Sequence, residues 1–207
     1  MRLYNQYPVN AIQRINCIGI TIGSEYDCLD PLKAKVNERL LIGNLFDVAT
    51  VTFDVTLPTL ITAITMKVGT SMYAFQGVRS TVKPQVDLVA SEVNVGFSHQ
   101  CDFSIFEVGA KDKENLQAMS TIAQFLIYEN PKDSSLGDAV FEVMGINSGL
   151  EVSTMVRMPA DGATGGAYTV QLKTPEAASE TELPNSFFDT DITTTEAAIE
   201  ALLITQV

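Results

Sequence analysis

Hydrophobic and polar residues alternate along much of the chain, and a period of two is the pattern of β-strands. From Val51 to Leu57 every second residue is apolar, and the residues between are Thr or Asp. A longer alternation from Val93 to Ile105 predicts a strand that bends around a curved sheet or serves two sheets. Shorter segments that are rich in β-branched residues predict strands at Ile12–Ile22, Leu60–Val68, Val78–Val89, Phe125–Glu129, Ala139–Met144, Leu150–Met158 and Ala167–Lys173. The pattern therefore predicts a mainly β protein, with antiparallel sheets in a sandwich or barrel and with flanking helices.

The segment 24–46 breaks the strand pattern and predicts a helix. An Asp-Pro pair at positions 30 and 31 supplies an N-cap and a proline in the first turn, and Gly43 would end the helix. Leu32, Val36 and Leu40 then recur every fourth residue and form an apolar stripe. The segment is longer than most connections inside a compact domain. We therefore expect either a helix folded on its own domain or an arm that lies against another subunit.

Two further helices are predicted in the second half of the chain. Asp112 is placed as the N-cap of one helix, in which Leu116 lies on an apolar face. Thr193 and Glu196 have the spacing of a capping box for the other helix, which continues to Leu203.

The last quarter of the chain is acidic. Residues 151–207 hold nine acidic side chains against two basic ones, and Thr174–Pro184 is rich in Pro, Glu and Ser, which predicts an exposed stretch. An Asn-Ser-Gly sequence at 147–149 predicts a hairpin turn between two strands. The sequence contains no internal repeat. We therefore expect a single β-rich domain over residues 1–207, in which 174–207 forms an acidic C-terminal segment.

The charge balance limits the partners of the chain. Its 207 residues include 13 basic and 25 acidic side chains, for a formal net charge of −12. Such a chain is not expected to bind nucleic acid through its phosphates or a membrane through a basic anchor. The sequence has no apolar run of the ~18–20 residues that cross a bilayer, and no signal-peptide core. Its three cysteines predict free thiols, so we expect a protein that folds in the cytoplasm.

Candidate metal-binding residues are few. His99 is the only histidine, and it shares one face of the predicted long strand with Cys101 and two phenylalanines. A zinc site needs three or four ligands, and Cys17 and Cys28 are not accompanied by a second histidine. We therefore expect His99 to be a core residue that is hydrogen-bonded to a backbone carbonyl, and we expect no metal ion.

No sequence motif indicates an enzyme or an organic cofactor. The glycine-rich stretch 162–166 lacks the lysine and the following helix of a phosphate-binding loop. A catalytic pair of carboxylates has no sequence motif, so any two of the 25 acids could form one. The adjacent Phe187 and Phe188 stand in an acidic stretch and are expected either to return to the core or to insert into a neighbouring chain. We expect a structural or interaction protein without catalytic residues or cofactors.

Four stretches of the second half form a series of strand, hairpin, strand and closing segment. They are Phe125-Leu-Ile-Tyr-Glu-Asn-Pro131, Gly137-Asp-Ala-Val-Phe-Glu-Val-Met-Gly145 continuing to Gly149-Leu-Glu151, Gly166-Ala-Tyr-Thr-Val-Gln-Leu-Lys-Thr-Pro-Glu176, and Leu183-Pro followed by Phe187-Phe188. This series resembles virion structural proteins of tailed bacteriophages that infect Bacteroidetes. Within that group the order of strand, helix, strand and hairpin is similar to tail tube proteins. The resemblance covers residues 95–190 and consists of structural residues rather than a catalytic signature.

The resemblance implies an assembly. Tail tube proteins are β-sandwich subunits with a flanking helix, and they form rings, commonly hexameric, that stack into a hollow tube. The chain would then lie in the virion, bind copies of itself and other tail or neck proteins, and meet DNA only as the DNA passes. An acidic lumen agrees with the net charge, because negative walls do not retain a polyanion. A head–tail connector or tail ring protein, and a capsid accessory or decoration protein, are the alternatives.

Particular residues are expected to serve such an assembly. Asp54 and Asp102, on the polar sides of the two alternating strands, are the candidates for the lumenal face. The low-charge stretch Val48–Leu57 is expected to pair edge to edge across subunits and to form the inner wall. The expected inter-subunit contacts are Leu32, Val36, Leu40, Phe187 and Phe188.

Overall fold

The structure is a computed structural model that describes residues 38–77, 81–90, 95–130 and 137–203, all within one compact unit of the chain. Leu32, Val36 and the strand predicted at Ile12–Ile22 lie outside the described residues. The strands are β1 (Arg39–Asn44), β2 (Val48–Phe53), β3 (Leu60–Met66), β4 (Tyr73–Gln76), β5 (Lys83–Ala90), β6 (Val95–Ile105), β7 (Gln124–Glu129), β8 (Phe141–Met144), β9 (Glu151–Arg157), β10 (Tyr168–Lys173) and β11 (Asn185–Phe187). The helices are α1 (Ala110–Met119) and α2 (Ile192–Leu202).

The strands form two sheets. One sheet has seven strands in the order β2-β3-β11-β8-β7-β1-β4, and the other has four strands in the order β5-β6-β10-β9. All neighbouring strands are antiparallel except β11 and β3, which are parallel. The chain passes between the sheets after β4, β6, β8 and β10. The prediction of a mainly β protein with antiparallel sheets and flanking helices is confirmed.

The seven-stranded sheet is buried on both of its faces. Along β7, Phe125 and Ile127 belong to one core cluster and Leu126 and Tyr128 to the other, because successive residues of a strand face opposite ways. Two buried residues of α2 complete the first cluster, and the four-stranded sheet supplies residues to the second. The molecule is therefore layered as helix, seven-stranded sheet and four-stranded sheet.

β6 carries most of the predicted long alternation. Cys101, Phe103 and Ile105 are buried in the core between the sheets, whereas Asp102 lies on the opposite, outer face of the strand. Only the second half of β6 pairs with β10, while β5 runs along its full length. The free side of the first half is bridged at Phe97 by the connection that follows β10.

The predicted helix through Leu40 is wrong over the described residues. Arg39–Asn44 forms β1, which lies between β7 and β4 in the seven-stranded sheet. Leu40 and Ile42 face one core cluster, and Leu41 faces the other. A strand with two buried faces is a continuous apolar run, and such a run contains i, i+4 apolar pairs without being helical. Because Leu40 has no exposed surface, it packs inside its own chain rather than along an inter-subunit arm.

The strand predicted at Val51–Leu57 ends early. β2 stops at Phe53, and the carboxylate of Asp54 then accepts hydrogen bonds from the N–H groups of Thr56 at 2.7 Å and Leu57 at 2.9 Å. An aspartate that binds the backbone two or three residues further on makes a turn of this kind. The last part of the alternation therefore lies in a turn and not on a strand face.

Both helices predicted in the second half are present, with shifted starts. α1 begins after Gly109, and Asp112 acts from its first turn by accepting a hydrogen bond from the Gly109 N–H at 2.9 Å. α2 begins after Asp191, whose side chain accepts from the Thr194 N–H at 2.7 Å. A carboxylate can stabilise a helix from the N-cap or from the third helical position, so its presence alone does not define the first residue.

The C-terminal segment is built into the core. β11 lies between β3 and β8, and α2 packs on the same core cluster. Thr174 and Glu180 are buried, so the prediction of an exposed stretch is wrong at these two residues. The prediction used local composition, which does not include contacts with distant strands. Phe187 is 1% exposed and lies in the core, while Phe188 is half-buried. Of the two alternatives for Phe187, packing in the core of its own domain is therefore the one observed.

Truncating Phe187 tests this burial. Phe187→Ala should lower the free energy of unfolding by about 3–5 kcal/mol, because it removes a buried ring and leaves a cavity. Leu183→Ala is the control at a residue that is 54% exposed, and it should cost no more than about 0.5 kcal/mol. Both values come from urea unfolding of dilute protein. Equally small losses in the two variants would contradict the burial of Phe187.

Candidate functional site

Within the described residues, four strands have a neighbour on one side only: β2, β4, β5 and β9. Proteins protect such edges with short strands, charges or proline, because the unpaired backbone groups can bind another strand. β4 has only four residues, β5 contains Lys83, Pro84 and Asp87, and β9 has Glu151 and Arg157 at its ends. β2 has six residues and contains neither charge nor proline. It is the least protected of these edges.

Exposed apolar side chains surround β2. Phe46 precedes the strand and is 71% exposed, and Phe53 at its end is also exposed. Val55 and Leu57 extend the group into the following turn, where both are exposed. Exposed apolar residues that occur together mark contact surfaces, whereas scattered ones are normal on any protein. We call residues 46–57 the β2 edge and treat it as the candidate functional site.

The two predicted lumenal acids lie in different parts of the fold. Asp54 is in the turn of the β2 edge, where hydrogen bonds from Thr56 and Leu57 hold the pKa of its carboxyl below the usual value. Asp102 lies on the outer face of β6, where its Oδ1 accepts a hydrogen bond from the Gln171 side chain at 2.8 Å. Because β2 belongs to the seven-stranded sheet and β6 to the other, the structure does not bring the two acids together.

His99 is a core residue bonded to a backbone carbonyl, and this prediction is confirmed. The residue is 3% exposed, and its Nε2 lies 3.0 Å from the carbonyl oxygen of Glu182. The N–H of Gly145 donates to Nδ1 at 3.3 Å. The ring is therefore neutral, and Nε2 carries the proton that is donated to Glu182. Burial lowers the pKa of the imidazole, which favours this neutral form.

Glu180 is a second buried polar residue, and the sequence did not reveal it. Its backbone exchanges two hydrogen bonds of 2.8 Å with Phe97 on β6. Its Oε1 accepts from the N–H of Ser148 at 3.0 Å, and burial raises the pKa of the carboxyl. Glu180 stands in a stretch rich in Pro, Glu and Ser, and that local composition indicates exposure to solvent. Only the non-local bridge to β6 accounts for its burial.

His99 and Glu180 hold two of the four connections between the sheets. Residues 145–150 lead from β8 to β9, and residues 174–184 lead from β10 to β11. The hairpin turn predicted at 147–149 is therefore wrong, because β8 and β9 lie in different sheets and do not pair. The same turn-forming residues carry the chain across the sandwich. We call His99, Glu180 and residues 145–150 the polar junction.

Metal-ligating side chains do not cluster in the described part of the chain. No group of three or more His, Cys, Asp and Glu residues there could hold a metal ion. Cys101, two residues from His99 on β6, is buried, and this burial raises the pKa of its thiol to about 12. The thiol is therefore protonated at neutral pH, and a protonated thiol is a weak ligand and a weak nucleophile. Cys17 and Cys28 lie outside the described residues.

A cavity of about 360 Å³ lies where α2 meets β1, β7 and β8. Leu41, Phe141 and Ile199 line its apolar part, and Arg39 and three glutamates line its polar part. Arg39 donates to one of them, Glu200, with an Nη1–Oε1 distance of 2.5 Å, and this bond lowers the pKa of the carboxyl. Acids outnumber bases in the lining, which disfavours an anionic ligand.

Gly145 in the polar junction leaves no room for a side chain. Its φ is +73°, and a Cβ would lie 2.5 Å from Cγ of Leu150. Gly145→Ala should lower the free energy of unfolding by roughly 1–2 kcal/mol of left-handed strain plus roughly 1–3 kcal/mol of overpacking. Gly69→Ala is the matched control, because its φ is +83° with nothing within 4 Å, so only the strain applies. Equal losses in urea unfolding would contradict the close packing at the junction.

The β2 edge, the polar junction and the cavity beside α2 are thus the candidate sites. Across the described ranges, no helix combines the length and apolar character needed to cross a bilayer. Comparison with known proteins finds no family model, no curated protein and no solved structure that matches the chain.

Proposed function

We propose that the chain is a structural virion protein of a tailed bacteriophage, a tail tube subunit whose rings stack into a conduit for DNA. One observation carries the proposal: β2 is an uncharged edge strand with exposed apolar side chains around it. The sandwich of two sheets with flanking helices is also the architecture that the sequence resemblance implies. In this role the chain needs neither catalytic residues nor a cofactor.

The β2 edge suits pairing between identical subunits. The outer side of β2 bears backbone N–H and C=O groups that no strand of the described part satisfies, and a strand of another subunit can satisfy them. Copies of a chain with a net charge of −12 repel each other. Contact therefore costs least along β2 itself, which carries no charge although Asp47 and Asp54 stand on either side of it. Pairing of β2 with β2 of another copy would stop at a two-fold dimer, so a ring requires β2 to pair with a different edge of the next copy. Such head-to-tail pairing closes a ring when the rotation per subunit divides a full turn, commonly into six in the proteins that the sequence resembles.

The outer face of the four-stranded sheet is the proposed lumenal wall. β2 lies in the middle layer, so edge pairing joins the seven-stranded sheets and leaves the four-stranded sheets to line one side of the ring. Asp102 lies on that outer face beside Gln100 and Gln171, and the register places Lys83 opposite Asp102 and Lys173 opposite Gln100 on the same face. The face therefore carries both signs of charge, and it is the net charge of −12 that disfavours retention of passing phosphates. Asp54 is a turn residue on the other sheet and is not proposed for the wall. The partners are copies of the chain and other tail or neck proteins.

A charge on β2 tests the edge. Thr52→Lys places a lysine at an exposed position of the strand, and it should weaken subunit association about ten-fold or more, a change of ~1.4 kcal/mol. The free energy of unfolding should change by no more than about 0.5 kcal/mol. Gln117→Lys, at an exposed position of α1, is the control and should assemble as the wild type does. Native mass spectrometry and negative-stain electron microscopy report the assemblies.

The images also separate the proposed roles. Stacked tubes support a tail tube subunit, whereas discrete rings support a head–tail connector or tail ring protein. Wild-type protein that stays monomeric at high concentration would contradict ring formation. A Thr52→Lys variant that assembles fully would show that the subunits pair elsewhere.

Salt should favour assembly if acids from every subunit crowd around a lumen. Like charges repel less at high ionic strength, since the Debye length falls from ~10 Å at 0.1 M to ~3 Å at 1 M. Asp102→Asn should lessen this salt dependence, whereas Glu114→Gln, at an exposed position of α1, should leave it unchanged. Light scattering against salt concentration measures the effect. Assembly that weakens steadily as salt is added would mean that attractive ion pairs hold the ring, and it would refute the acidic lumen.

A further inference from the structure

The polar junction fastens two connections between the sheets to one side chain. Nδ1 of His99 accepts from the N–H of Gly145 in the β8–β9 connection at 3.3 Å. Nε2 donates to the carbonyl oxygen of Glu182 in the β10–β11 connection at 3.0 Å. The backbone N–H of His99 also donates to Oγ1 of Thr174, at the start of that second connection, at 3.0 Å. Two hydrogen bonds therefore fix the ring, and a third fixes the backbone that carries it.

Only a neutral ring can make both side-chain bonds. A neutral imidazole accepts at one nitrogen and donates from the other, whereas an imidazolium donates from both. A proton on Nδ1 of His99 would face the N–H of Gly145, so that hydrogen bond would be lost. The bond to Glu182 survives, because Nε2 carries hydrogen in either state. Protonation therefore acts on the β8–β9 connection and not on the β10–β11 connection.

We propose that His99 is an acid-sensitive latch: protonation at Nδ1 releases Gly145 and loosens residues 145–146, while Glu180 keeps Asn147 and Ser148 attached and the β10–β11 connection stays bound to His99. Glu180 limits the released segment through its hydrogen bonds with Asn147 and Ser148. Leu150 is the next attachment, because it exchanges two backbone hydrogen bonds with Gln124 at 2.8 Å and 2.7 Å. The release loosens the end of the sandwich where the chain crosses from the seven-stranded to the four-stranded sheet. The latch does not depend on ring assembly.

The charged groups that face the latch come from one element. The β10–β11 connection contributes Glu180 and Glu182, and β6 itself contributes Cys101, whose thiol is neutral. The β8–β9 connection contains no ionisable side chain. Glu180 holds this connection at a second point through the N–H of Ser148, at 3.0 Å. The carboxyl of Glu180 can accept this hydrogen bond whether or not it is protonated, and the bond does not involve His99. The attachment of Ser148 therefore does not depend on the charge of His99.

Burial gives the direction of the pH dependence. It lowers the pKa of His99 below the ordinary value of 6.5. The stability that neutral His99 provides is therefore fully present above pH 6.5 and is lost as the pH falls through the lowered pKa. Burial raises the pKa of Glu180, so neutralising that carboxyl in acid favours the folded state. In acid, His99 therefore lowers and Glu180 raises the free energy of unfolding. Because these effects oppose each other in the global value, the exchange of individual backbone amides is needed to separate them.

Amide hydrogen exchange of the full chain, followed by NMR, tests the latch. In the wild type the protection factor of the Gly145 amide should fall by up to about ten-fold for each pH unit between pH 6.5 and the lowered pKa of His99, because opening binds one proton in that range, and it should level off below that pKa. The amide of Ile127, in the centre of β7, is the internal control and should keep its protection over the same range. The Ser148 amide should not follow the titration of His99, which the ring resonances report.

His99→Asn removes the titration and keeps an acceptor near the position of Nδ1, so protection of Gly145 in this variant should not depend on the pH in that range. Unchanged protection of Gly145 while wild-type His99 titrates would overturn the latch, as would the full wild-type pH dependence in the variant. The tautomer of the wild-type ring gives an answer even if the variant does not fold. A proton on Nδ1 at neutral pH overturns the proposal, and a proton on Nε2 supports it.

Discussion

The need to cover both faces of the seven-stranded sheet determines most of the fold. Consecutive residues of β1 point alternately into the two core clusters, as Leu40, Leu41 and Ile42 show. If only one face of the sheet were covered, every second apolar residue of such a strand would be exposed to water. Each buried aliphatic side chain contributes roughly 1.5–3 kcal/mol, and a domain of this size is stable by only ~5–15 kcal/mol. An uncovered face would therefore unfold the domain, and both α2 and the four-stranded sheet are indispensable layers.

The layered fold also requires connections between the sheets, and the polar junction provides hydrogen-bond partners for two of them. A chain that crosses between two sheets brings backbone N–H and C=O groups into a partly buried region, and leaving one of them unpaired costs about 1–3 kcal/mol. His99 and Glu180 supply partners for the N–H groups of Gly145 and Ser148, and for the carbonyl oxygen of Glu182. Buried polar side chains here complete the hydrogen bonding of a connection between the sheets.

Local patterns sufficed for the features that local physics controls. The fold class, the burial of His99 and the existence of α1 and α2 follow from periodicity and capping within short windows. β1, the 147–149 turn and the burial of Glu180 depend on strands far away in sequence, and the patterns there favoured a helix, a hairpin and an exposed loop. At the candidate site, the low charge of β2 was visible in the sequence. Its place at the edge of the sheet required the topology, whereas the turn made by Asp54 is a local contact that the alternation of apolar residues concealed.

β11 has a consequence for how the protein is made. Within the seven-stranded sheet, these three residues are the only described strand that joins the β2–β3 pair to β8 and the strands beyond it. A chain emerging from the ribosome therefore holds the sheet as two unconnected blocks until residues 185–187 appear, and parallel pairing of β11 with β3 closes a long loop, which is slow. Folding of this sheet is completed only after residues 185–187 have been made. Until that step the β2–β3 pair exposes the edge of β3 as well as that of β2, so partly made chains carry an unpaired edge that the finished subunit lacks and are more prone to associate.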